Sequence, residues 1–124
     1  MATVTPVITD LTGQDQVIKI TWALTTANPD GAPIKVSQFG EFADRTIYFV
    51  GTWGGATAAW EGGDGTVYMP ITNPAGTAIT KTANGINAII ELPEFSRPNL
   101  TTPGAGATIT ATLILRRVFR RGGK

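Results

Sequence analysis

The sequence predicts an all-β fold, a compact antiparallel β-sandwich of jelly-roll or immunoglobulin type with about seven or eight short strands. Three observations lead there. Twenty of the 124 residues are threonine, against two serines, and β-branched residues favour a pleated surface while losing side-chain freedom in helices. Short runs of alternating apolar and polar residues are separated by glycine, asparagine and proline turn signals. No segment holds a helical period: Phe39 and Phe42 are spaced for a helix, but Gly40 interrupts them, so Ser37–Asp44 reads as a loop or a single turn. At 13.0 kDa the chain is one domain with one core.

The elements follow in order. VTPVIT is extended, and Pro6 restricts it to a sheet edge or a free arm. In 17–24, Ile18, Ile20, Trp22 and Leu24 share one face and Lys19, Thr21 and Ala23 the other, a strand with one side in the core. Asn28–Pro33 is a loop with an Asp30-Gly31 turn, and Arg45–Val50 is the next strand. Ala56–Glu61 and Thr66–Ile71 flank Gly62-Gly63-Asp64-Gly65, a hairpin signal. Asn73–Gly76 turns before a strand at Ala78–Lys81, and Asn84-Gly85 turns before Ile86–Leu92. Arg97–Ala107 (RPNLTTPGAGA) reads as a loop. Thr108–Val118 is the last strand, with Ile109, Ala111, Leu113 and Leu115 on one face. At about 3.3 Å per residue its eleven residues span about 36 Å, so its arginine end is expected to project. The expected organisation is an extended N-terminal arm over 1–10, the sandwich over 11–118 and a basic tail over 119–124.

Charge is uneven. Five basic and nine acidic residues precede Arg116, and the closing RRVFRRGGK adds five cations and no acid. The N-terminal stretch lacks the basic and apolar regions of a secretory signal, and no apolar run approaches a membrane span, so no membrane association is expected.

The chain has neither cysteine nor histidine. Disulfides, thiolate metal sites and nucleophile–histidine triads are therefore excluded, and the expectation is a non-enzyme without cofactor or metal. Glu91 and Glu94 straddle Pro93 and do not define a facing carboxylate pair. Glu61 and Asp64 share the hairpin turn, where a solvated tip outweighs a calcium site because hard cations take six or more oxygens.

Three readings fit the basic tail: nucleic-acid binding, a solvated tail, or a clamp on an acidic protein surface through arginine–carboxylate pairs. The mildly acidic body offers no second basic patch, so nucleic acid ranks last. In the clamp, Arg116, Arg117, Arg120 and Arg121 surround the apolar Phe119. Val4, Val7 and Ile8 of the arm would add to a neighbour's sheet edge. Trp53, set between glycines, and Tyr68, beside the hairpin, are the aromatics that could face a ligand such as a sugar ring. The competing reading buries Trp22 and Trp60 and makes Trp53 a lid on one end of the sandwich.

A set of motifs remains: Gly51–Thr57 (GTWGGAT), Asp64-Gly65, Thr82–Ile86 (TANGI), Glu91-Leu92-Pro93 with Arg97-Pro98, and the Thr-rich strand 108–117 ending in arginines. As a set this resembles small phage proteins encoded among virion structural genes. The resemblance covers roughly half the chain and implies a β-sandwich virion component, most like a capsid decoration (cement) protein. It implies a major capsid protein as partner, a homo-oligomer with a trimer favoured, and a place on the capsid surface after synthesis in the host cytoplasm. The alternatives are a tail or head-tail accessory protein, or a carbohydrate-binding module on the virion.

Overall fold

A computed structural model describes residues 3–10, 17–39, 42, 44–89 and 93–117. Ten strands are present: β1 Val7–Asp10, β2 Val17–Thr25, β3 Ile34–Lys35, β4 Asp44–Thr52, β5 Thr57–Gly63, β6 Tyr68–Pro70, β7 Thr80–Lys81, β8 Gly85–Ile89, β9 Phe95–Thr102 and β10 Thr108–Arg116. They form two five-stranded antiparallel sheets. The first runs β1-β2-β10-β4-β8; the second runs β3-β9-β5-β6, with β7 also paired to β5. The expected β-sandwich is what the chain builds. Its strand count exceeds the expected seven or eight partly because β3 and β7, two residues each, are too short to leave an alternation in sequence.

Alternation decides the core. The odd-numbered positions of β10 from Ile109 to Leu115 face inward with Ile18, Ile20, Trp22 and Leu24 of β2 and Ile47 and Phe49 of β4. The second sheet answers with Ala58, Trp60 and Leu100. Trp22 and Trp60 meet edge to face with ring centroids 5.6 Å apart, joining the two layers. The Trp22 indole N–H donates to the carbonyl of Ala32 at 2.9 Å, whereas that of Trp60 has no acceptor among the described residues.

Four sequence expectations are corrected. Arg97–Ala107 is not one loop, because β9 occupies Phe95–Thr102 and only the residues after it turn. Pro98 sits inside this strand without loss. Its carbonyl accepts from Gly31 N–H at 3.0 Å, so its missing N–H faces the Asp30–Gly31 side, where pairing is only an isolated bridge. The last strand does not project. Every residue of β10, including Arg116, is in register with β2 on one side and β4 on the other. The N-terminal segment is no free arm either. Residues 7–10 form the edge strand on β2, and Val4 donates its N–H to Asp30 and accepts from Ala32, both at 2.8 Å. Lastly, Glu61 does not lie at a solvated hairpin tip; it is buried within β5. The expected single turn is present as a 3-10 turn over Val36–Phe39. The last residues expected for the strand 86–92 lie outside the described residues.

The GTWGGAT motif has an architectural role. It carries the chain from β4 in the first sheet to β5 in the second. Gly54 and Gly55 have φ of 55° and 84°, and Ala56 N–H closes the turn on Trp53 carbonyl at 2.8 Å. A Cβ on Gly54 would strike the carbonyl oxygen of Ala105, whereas one on Gly55 would meet nothing. Gly55→Ala is therefore expected to cost about 1–2 kcal/mol, the ordinary left-handed penalty, and Gly54→Ala at least about 1 kcal/mol more. Chemical denaturation of both variants checks this ordering; equal costs would refute the steric account.

Candidate functional site

The described side chains first separate what is already engaged from what is open. Glu61 is 5% exposed; its Oε1 accepts from Arg97 Nε at 3.0 Å, and Asn99 Nδ2 approaches Oε2 at 3.5 Å. The Arg97 guanidinium also lies 4.2 Å from the centroid of the Tyr68 ring. Glu94 makes an exposed pair with Lys35 at 3.8 Å. Asp64 accepts from the backbone N–H groups of Thr66 and Val67 at 2.8 and 3.0 Å, which fixes the hairpin loop. Among the described residues no three groups come together as a metal site requires.

The backbone bonds from Val67 and then Thr66 hold the Asp64 carboxyl below the ordinary aspartate range. The sign follows directly. Its contribution to stability is complete above the unfolded pKa and is lost as pH falls through the lower folded value. A carboxyl-carbon NMR titration should give Asp64 a midpoint below that of an ordinary aspartate. A midpoint at or above it would refute the cap. Burial, by contrast, pulls the Arg45 guanidinium below its ordinary value; its Nη2 donates to the carbonyl of Phe39 at 3.3 Å.

Both aromatics singled out from the sequence are committed within the domain. Trp53 is half-buried against the core, and its indole N–H donates to Asn84 Oδ1 at 2.8 Å. The same oxygen accepts Gly51 N–H at 3.0 Å, so the TANGI turn anchors the GTWGGAT crossing. This is the lid arrangement. Tyr68 carries Arg97 over its ring.

The partner-binding candidates are scattered. Arg116 is exposed on β10, but Arg117 folds onto its own domain, with its guanidinium 4.8 Å from the centroid of the Phe42 ring. Phe119, Arg120 and Arg121 lie outside the described residues. Val4 is half-buried against the core, whereas Val7 and Ile8 are exposed on opposite faces of β1.

What the sequence did not single out is the outer face of the first sheet. Register places Val7, Thr21, Thr112, Tyr48 and Ile86 in one row across all five strands. Beside it lie the rows Ala23–Thr110–Val50 and Thr25–Thr108–Thr52, also without charge. On the other side come Thr9–Lys19–Ile114–Thr46–Ala88 and then Val17–Arg116–Asp44. All three charges therefore stand at one end. Val7, Val50 and Ile86 are at least half exposed. Val17, Tyr48, Val50 and Ile114 line an open groove of about 420 Å³ that reaches Lys19 and Arg116. Such a face, wide, aliphatic and threonine-rich with few charges, has the composition of an interface core rather than of ordinary surface.

Comparison with known proteins adds no relative: no protein-family model, no curated protein and no solved structure matches the chain.

Proposed function

We propose that this protein is a phage virion structural component, a capsid decoration protein that binds the assembled shell and stabilises it by bridging subunits. The observation that carries the reading is the open outer face of the β1-β2-β10-β4-β8 sheet, a broad surface poor in charge on a rigid two-layer scaffold. The carboxylates Glu61, Asp64 and Glu94 are occupied by structural contacts, so the chemistry on offer is adhesion. The motif resemblance supports the same assignment.

The physical mechanism is linkage. A protein that binds the assembled shell and not its separated subunits favours the shell by the free energy of that binding. A trimer on a three-fold axis would present three equal contacts, and multivalency makes modest contacts hold. The sugar-binding alternative loses support from Trp53 and Tyr68, since neither offers a free ring face with a free polar edge.

The test is copurification. The protein should sediment with intact particles in many copies and protect them against heat. A few copies per particle would assign it to the tail or the head-tail connector. Its absence from particles would overturn the reading.

A further inference from the structure

We infer that the outer face of the β1-β2-β10-β4-β8 sheet docks a partner-protein segment whose aliphatic side chains end on a carboxylate. This rests on the reading of the protein as a shell-binding component and names the chemistry of the contact. The groove supplies the argument. Its aliphatic floor is formed by Val17, Val50 and Ile114 with the ring of Tyr48, and at one end it meets Lys19 and Arg116. Lys19 stands directly opposite Ile114, and Arg116 lies two residues further along β10. The two cations are therefore diagonal neighbours, about 7–8 Å apart at the backbone.

Neither cation forms an ion pair among the described residues, where the pairs are Lys35–Glu94 and Arg97–Glu61. Asp44 is in register with Arg116 from β4 but forms no ion pair there. That end of the groove thus keeps one net positive charge beside an otherwise uncharged surface. Charge complementarity selects the occupant: an aliphatic ridge fills the floor, and a carboxylate at its end meets Lys19 and Arg116. A second copy of this chain fits less well. Packing two such faces together would bury both cations against threonine rows, with Asp44 as the sole carboxylate on the face.

The site also replaces the projecting clamp. Arg116 acts from within the sheet, its backbone fixed by β2 and β4, so a partner meets a preorganised charge with little ordering cost.

Two experiments on the full chain separate the inference from the reading beneath it. In the first, a blocked tetrapeptide of three aliphatic residues ending in aspartate is titrated while amide NMR shifts are followed. Shifts confined to Lys19, Val50, Ile114 and Arg116 are expected, weakened on the order of tenfold by Lys19→Glu and by a lysine-ended peptide. Scattered shifts, or equal response to both peptides, overturn the inference. Concentration-dependent self-association through the same residues also overturns it.

In the second, particle cosedimentation compares the wild type with Val50→Glu and with a chain ended after Arg117. Val50 is half exposed, so this substitution leaves the core untouched. Loss of particle binding on the order of tenfold by Val50→Glu, with the shortened chain still bound, supports the inference. Equal binding of Val50→Glu and wild type overturns the face and leaves the decoration reading standing. Absence of wild-type binding, with the peptide response intact, overturns the decoration reading and leaves the face standing.

Discussion

Trp22→Ala should lower stability by about 3–5 kcal/mol, the range for removing a fully buried aromatic from a packed core. Trp22 has no exposed surface, and its ring meets Trp60 across the layers. Its neighbours cannot collapse into the space. Pro98 and Trp22 already crowd Gly31, where a Cβ would lie 2.7 Å from the proline ring and 2.9 Å from the indole. Truncation would also leave the carbonyl of Ala32 without its donor. A domain of this size holds roughly 5–15 kcal/mol in total, so a third or more of its stability is at stake. Thermal and urea unfolding followed by circular dichroism would measure it, and a loss under about 1 kcal/mol would refute the account.

The two core tryptophans also differ in a way that substitution by phenylalanine exposes. Trp22→Phe removes a satisfied N–H and strands a carbonyl, whereas Trp60→Phe removes a buried N–H that has no partner among the described residues. Trp22→Phe is therefore expected to cost more than Trp60→Phe by about 1–2 kcal/mol. The reverse order would mean that the Trp60 indole finds a partner in solution.

Much of this core was legible because period-two alternation reports burial directly. Ile18 to Leu24 and Ile109 to Leu115 were assigned to the inside from spacing alone, and the structure buries all of them. Strand β9 was not legible, since Pro98 and the polar Ser96-Arg97 and Asn99 look like a loop. Only the place of Pro98 opposite an isolated bridge makes that strand permissible. Strand β5 hid itself differently. It is buried on both faces, with Ala59 and Glu61 covered as well as Ala58 and Trp60, so it shows no alternation to read.

The docking face shows a different limit. That Thr108, Thr110, Thr112 and Ile114 share one side of a strand follows from the sequence. That β10 lies between β2 and β4 does not, because strand order is set by tertiary pairing across the whole chain. Lys19 and Arg116 are 97 positions apart in sequence and become neighbours only through that order. The tail arginines drew attention because they cluster along the chain, whereas the groove is assembled from three separate strands.

Arg97→Ala is the second substitution with a large expected effect, about 3 kcal/mol. Arg97 and Glu61 stand directly opposite each other on β9 and β5, and the carboxylate side chain is only 7% exposed. Breaking a buried pair from one side strands the other charge, which costs about 3–5 kcal/mol. The lower end applies here because the arginine is itself 23% exposed, and its removal opens a path for water to Glu61. The exposed Lys35–Glu94 pair sets the contrast: at 3.8 Å and about half exposed on each side, its loss through Lys35→Ala should cost at most about 1 kcal/mol. Combining Arg97→Ala with Glu61→Gln removes the stranded charge, so the double variant should be more stable than the sum of the singles by about 0.5–3 kcal/mol. Urea unfolding of the three variants completes the cycle, and strict additivity would show that the pair is not coupled. Arg97→Ala should also bare the Tyr68 ring now lying under the guanidinium, a change that tyrosine fluorescence quenching can register. If the ring becomes accessible while particle binding stays unchanged, this cluster serves the fold, and adhesion belongs to the opposite sheet.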